Sequence, residues 1–211
     1  IVRRIDIQAV VIASVVFSLG WGIAGTYLAI FVVTEDGLGT DSAMFVGMLL
    51  GTRSLLGIVF QPIAGFTADR TNRVSLVVSG LFIAAIAQFV IPDLPRSFVE
   101  TSFFGEAITI APWLLGIIVI AGIGEAFAHP AEQAIFVSIG RKVGMASVMG
   151  MYQMGSGLGF LTGSLVGAIL VSTIGIDSVF RATGIITVIG AILFAIMMRR
   201  ANEREGSTQL V

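Results

Sequence analysis

The chain has 211 residues, 56% of them hydrophobic and only 12% charged, with a mean hydropathy of +1.00. A soluble domain carries about 25% charged residues, so the solvent for most of this surface is lipid. The formal net charge of -1 excludes the basic footprint of a nucleic-acid partner, and the lack of cysteine excludes a disulfide framework and thiol chemistry.

Crossing a bilayer as a helix takes about 20 apolar residues. Six runs are long enough: 8–33, 42–68, 73–92, 108–138, 143–172 and 178–199. This predicts an all-α, polytopic membrane protein with six transmembrane helices. The first run is too long for a signal-peptide core and no small-residue cleavage site follows it, so it reads as a mature span. The chain opens on Ile1 and not on Met, which suggests that the start is missing.

The first run offers Ser14, Ser18, Trp21, Thr26 and Tyr27 as polar or amphipathic side chains. Trp21 stands deep, amid Gly20, Gly22 and Gly25, where it suits a cavity wall better than an interfacial anchor. In the second run Arg53 lies about 11 residues inside, roughly 16 Å at 1.5 Å per residue. An arginine at that depth costs about 2.5–3.5 kcal/mol or more, so it faces a partner or a wet cavity. Two roles fit: an anion or coupling contact, or a structural ion pair.

Gly65 to Arg73, read G-F-T-A-D-R-T-N-R, is a short charged turn into the third run. Its length predicts that the second and third helices are antiparallel neighbours. The third and sixth runs are aliphatic and should face lipid, with Gln88 as the exception. The longest connection, 92–105, contains Pro92, Pro95, Ser97 and Gly105 and divides the six helices three plus three. Such groups with inverted topology are common in secondary transporters.

In the fourth run Glu125, His129 and Glu132 follow i, i+4, i+7 spacing and should share one face. A desolvated carboxylate and an imidazole can both change charge in a cycle, so Glu125 and His129 form a candidate proton-carrying pair. The alternative is that Glu125 statically neutralises Arg53. Pro130 should loosen the helix, and Glu132 should pair with the basic loops. The spacing E-x-x-x-H is not that of a zinc protease. Trp113 reads as an interfacial anchor, and Gln61, Tyr152 and Gln153 are weaker cavity candidates.

The fifth run carries Gly155, Gly159, Gly163 and Gly167, an unbroken four-residue stripe that lets another backbone come close. Residues 201–211 read as a polar, disordered tail. Basic residues set the orientation. Arg3, Arg4, Arg70, Arg73, Arg141, Lys142, Arg199, Arg200 and Arg204 fall on one side, and only Arg96 and Arg181 on the other. The prediction is that both termini and the Gly65–Arg73 turn are cytoplasmic.

That turn resembles the signature loop of the major facilitator superfamily, G-x-x-x-D-R/K-x-G-R/K-R/K. Gly65, Asp69, Arg70 and Arg73 match; Asn72 replaces a glycine and Val74 a basic residue. Asparagine is the next best residue for a left-handed turn, so the first departure is mild. The preceding Q-P-I-A-G is also similar to the family. Ile118 stands where amino-terminal halves have an arginine. Phe160 and Ser164 replace the proline and last glycine of the antiporter pattern. These departures resemble the carboxy-terminal half, an inverted three-plus-three repeat forming helices seven to twelve of a twelve-helix transporter.

The resemblance implies several things. Asp69, Arg70 and Arg73 would latch one conformation, the alternative for the two arginines being that they only anchor the helices at the membrane face. The glycine stripe would face the missing amino-terminal half, the alternative being packing within this bundle. Partners would be that half, the bilayer and a small-molecule substrate, with no cofactor beyond a proton gradient. The leading function is proton-coupled export of small lipophilic solutes. The alternatives are uptake of an organic anion on Arg53, or a receptor or assembly protein that does not transport. No nucleophile–base or metal set points to an enzyme.

Overall fold

The computed structural model describes residues 5–40, 42–103 and 105–208. Arg3 and Arg4 of the charge argument, and residues 209–211 of the expected tail, lie outside them. Six helices form: α1 (Ile5–Val33), α2 (Ala43–Arg70), α3 (Arg73–Val90), α4 (Pro112–Val143), α5 (Met145–Ile174) and α6 (Ile176–Thr208). All six are long and apolar enough to cross a membrane.

Local chemistry sets their ends. The Ser42 hydroxyl accepts the Phe45 N–H at 3.1 Å and caps α2. Pro112 opens α4, where a missing N–H costs nothing. Gly144, at φ 129°, ends α4 and starts α5 in one residue, a conformation that side chains disfavour. The last helix departs from expectation, running to Thr208 where a disordered tail was expected from 201. Its segment A-N-E-R-E is rich in helix formers, so the helix outlasts the apolar run.

The connection between α3 and α4 also differs. A 3-10 turn at Ile91–Asp93 leads into an antiparallel hairpin, β1 (Val99–Phe103) and β2 (Glu106–Ile110), with Val99 opposite Ile110. Gly105 sits in its turn at φ 87°. The fourth helix therefore begins at Pro112, later than the expected 108. The runs V-E-T-S-F and E-A-I-T-I carried a strand signal; the first fell within the expected 92–105 connection, and the end of the second, 108–110, was counted into the fourth helical run.

α1 packs along α5 and α6, α4 packs along α2 and α3, and α3 also meets α6. These main pairings are unchanged when α1 and α4, α2 and α5, and α3 and α6 exchange places. The expectation that α2 and α3 are packed neighbours is overturned. They scarcely touch, because each docks on α4 instead. Nor do α3 and α6 simply face lipid: 44% and 39% of their spans are buried, against 11% for α2 and 17% for α5. Gln88 is one of the buried polar side chains.

Two apolar cores lie at opposite ends of the bundle. One gathers Val77, Leu81, Phe136, Val148 and Phe194 near the α2–α3 turn. The other gathers Phe31, Phe45, Ile91, Leu114 and Phe180 near the hairpin, with Phe31 and Phe180 edge to face at 4.9 Å.

The α5 glycine stripe forms a close helix seam. Gly155, Gly159 and Gly163 lie against the backbone oxygens of Val11, Val15 and Leu19, and Gly167 against the ring of Tyr27. The stripe therefore faces α1 of the same bundle, not another half as expected. The fit is mutual, since Gly22 of α1 lies against the Phe160 carbonyl. The Tyr27 hydroxyl donates to the Ser164 carbonyl at 3.0 Å, and the Thr26 and Ser164 hydroxyls meet at 3.3 Å.

Candidate functional site

α1, α2, α4 and α5 enclose a cleft of about 890 Å³. Its wall holds Trp21 from α1, Arg53 and Gln61 from α2, Glu125 and His129 from α4, and Tyr152 and Gln153 from α5. Residues distant in sequence thus converge on one polar space within an apolar bundle. Ser18 joins them. Ser14 is buried, and Thr26 and Tyr27 are engaged with Ser164, outside the wall. Trp113 is also outside it and is 57% exposed.

The centre of the cleft is an ion pair. Arg53 Nε donates to Glu125 Oε2 at 2.7 Å, and Arg53 Nη2 donates to the other oxygen. This planar two-point contact is the geometry a guanidinium favours for a carboxylate. The side chains are only 11% and 16% exposed, so each charge needs the other. The Trp21 ring lies 5.0 Å from the guanidinium carbon, a cation–π contact on a third side. Arg53 is thus neutralised within the fold, the structural alternative weighed from its depth.

His129 lines the cleft one turn beyond Glu125, its ring edge-on to Phe17 at a centroid distance of 6.3 Å. No hydrogen bond joins it to Glu125 among the described residues. Glu132 leaves this face altogether. It is 5% exposed and points into an apolar pocket between α1, α3, α4 and α6. The expected pairing with basic loops is overturned, because the residue turns into the bundle and not toward the helix end.

Gln133, Ser156 and Phe160 also line the cleft, and sequence reasoning missed them. Gln133 was available as the next turn after His129. Phe160 was read only as a departure from a motif, yet it places a ring at the cleft.

The signature loop forms a separate site at the end of α2. Arg73 Nη2 donates to Asp69 Oδ1 at 3.2 Å, Nη1 to the Ala134 carbonyl at 3.3 Å, and Nε to the Ala68 carbonyl at 3.2 Å. One side chain therefore ties the turn to α4. Arg70 lies with its guanidinium carbon 3.9 Å from the Phe66 ring centre, and the Asp69 side chain is 73% exposed. Around Gly65 an added methyl would meet nothing within 4 Å.

Asn72 does not adopt the left-handed turn expected of it. Its φ and ψ are -71° and 108°, and its side chain accepts the N–H groups of Val74 and Ser75, capping α3. Asparagine thus supplies an acceptor that caps α3. Asn72→Ala is expected to lose about 0.5–2 kcal/mol of stability, while Asn72→Asp retains the cap. Thermal unfolding of the two variants checks the order.

Six apolar helices around a cleft that gathers several polar side chains define an integral, multi-pass membrane protein. The chain belongs to the Major Facilitator Superfamily, whose family model matches residues 10–210. It is thus of a transporter family and not an enzyme. It is 22% identical over 190 residues to Multidrug resistance protein MdtG of Enterobacter lignolyticus, covering 90% of this chain and 42% of that protein. It is 26% identical over 178 residues to the uncharacterized MFS-type transporter MJ1560 of Methanocaldococcus jannaschii, covering 83% and 41%. MdtG of Citrobacter koseri is 22% identical over 193 residues, covering 91% and 44%. The chain thus spans less than half the length of these relatives. No solved structure matches it.

Proposed function

We propose that this chain is the carboxy-terminal half of a secondary active transporter that exports small lipophilic solutes by alternating access, driven by protons. The observation that carries this reading is the cleft of about 890 Å³ with a neutralised charge at its centre and aromatic walls. Such a surface suits solutes that bury apolar area and need few polar contacts. Two relatives are named as multidrug resistance proteins, which agrees.

α2 and α5, which flank the cleft, leave most of their spans uncovered by this bundle. The amino-terminal half would complete the cleft along them. The exchange symmetry of the helix pairings supports an inverted three-plus-three repeat. The basic residues at the α2–α3 and α4–α5 connections support placing that end in the cytoplasm. There Arg73 would hold the loop to α4 while the exposed Asp69 meets the other half, as a latch. Uptake of an organic anion on Arg53 is the weaker reading, since Glu125 already holds the guanidinium.

The test is transport by the protein as its gene encodes it, purified into vesicles. With a pH gradient imposed, ethidium and rhodamine 6G are expected to be moved against their own gradients. Collapsing the gradient should stop accumulation but leave dye exchange intact. No dye movement under either condition, with folded protein confirmed, would overturn the reading.

A further inference from the structure

Among the residues whose side chains are described, Glu132 is the only acidic or basic one that is fully buried. Val16 and Phe17 of α1, Val77 and Leu81 of α3, and Thr187 and Phe194 of α6 surround it, leaving a void of only about 20 Å³. No ion pair or hydrogen bond to its carboxyl group is present among the described residues. Glu125, two turns earlier, contrasts with it, because Arg53 bonds to both of its carboxyl oxygens.

The charges around Glu132 are few. α1, α3 and α6 present no titratable group to its pocket. From α5 the Tyr152 phenol lies within electrostatic reach. On α4 itself His129 stands one turn back, in the cleft wall. Arg73 reaches the Ala134 carbonyl two residues on, but Asp69 and the Ala68 carbonyl also hold its guanidinium. An ionised carboxylate in such a pocket is costly without a counter-ion, so the Glu132 carboxyl group is placed to bind and release a proton as its surroundings change.

We infer that Glu132, and not the Glu125–His129 pair, carries the proton that couples the gradient to transport. This inference rests on the proton-driven reading above. With α1, α3, α4 and α6 closed on it, Glu132 keeps its proton. When those helices part and water enters past Tyr152 and His129, the carboxyl O–H bond breaks and the proton passes to that water. The carboxylate left behind must be reprotonated before the pocket can close again. Pro130, two residues away inside α4, removes a backbone hydrogen bond between the cleft-facing turn and Glu132, so the two segments can move separately.

Two measurements on the full protein in vesicles test this. The first needs no substrate: infrared titration of the protonated carboxyl carbonyl band. A band persisting at neutral pH is expected in the wild type and in Glu125→Gln, and should be lost in Glu132→Gln. A band unchanged by Glu132→Gln would overturn the proposal. The second is dye transport. Glu132→Gln should lose proton-driven accumulation at least tenfold and keep gradient-free dye exchange, which also shows that it is folded. Proton-driven accumulation within twofold of wild type would overturn the coupling role. If the wild type moves no dye, the transport reading itself fails, and the infrared band still decides whether Glu132 holds a proton.

Discussion

Valine at Gly163 is expected to lower the protein's folded-to-unfolded ratio by at least about tenfold. A side chain there would run into the carbonyl oxygen, carbonyl carbon and Cα of Leu19, all backbone atoms of α1. Backbone in a helix cannot swing aside as the tip of a side chain can, so α1 and α5 must separate along their whole seam. Overpacking a close-packed interior costs about 1–3 kcal/mol, occasionally more, and a backbone obstacle places this case at the upper end. Separation would also break the Tyr27 bond to the Ser164 carbonyl. A loss of roughly 1.4 kcal/mol lowers the folded-to-unfolded ratio about tenfold, and a loss of at least that size is expected. Gly159→Val should behave alike, since it meets Val15 O and Leu19 N.

The control is Gly157→Ala, on the same helix but with nothing within 4 Å of the added methyl. There alanine should be neutral or stabilise by about 0.5–1 kcal/mol, the usual gain over glycine inside a helix. Size-exclusion profiles and thermal unfolding of the three variants decide the matter. If Gly163→Val folds as well as Gly157→Ala, the α1–α5 seam is not as close as described.

That seam also marks where sequence reasoning stops. Six membrane-length helices were legible because charge and proline interrupt the apolar runs at their ends. Which face of each helix points inward was not legible. A membrane helix is apolar on its lipid side and its protein side alike, so hydrophobic periodicity carries no direction. A glycine stripe announces that a backbone comes close but does not say which one, and α1 was as available as another half. Glu132 was misplaced for the same reason: a single turn of helix separates the cleft from the interior, and only packing decides between them. Arg53 and Glu125 were each conspicuous by cost, yet 72 residues separate them. Their pairing was one alternative among several until the fold brought α2 against α4.

That pair carries the second large effect. Removing one member of a fully buried ion pair costs about 3–5 kcal/mol, because the other charge stays behind uncompensated; this pair is partly buried, so a smaller loss is expected. The two members are not equivalent. A carboxylate left alone can neutralise itself by binding a proton, whereas a guanidinium keeps its charge at any ordinary pH. Glu125→Gln, which strands Arg53 beside only the Trp21 ring, should therefore destabilise more than Arg53→Met, which strands Glu125. Replacing both, Arg53→Met with Glu125→Leu, leaves no stranded charge and should restore stability to within about 1–2 kcal/mol of wild type, since apolar residues often substitute for a buried pair at little cost. Denaturant unfolding of the four proteins forms a double-mutant cycle. Additive losses would show that the two side chains do not depend on each other. The refolded double variant then separates structure from function. If the pair only holds α2 to α4, the variant should transport dye as the wild type does. If the pair opens and closes during the cycle, the variant should fold and bind but fail to move its solute, because an apolar contact cannot exchange partners with water or substrate as a charged one can.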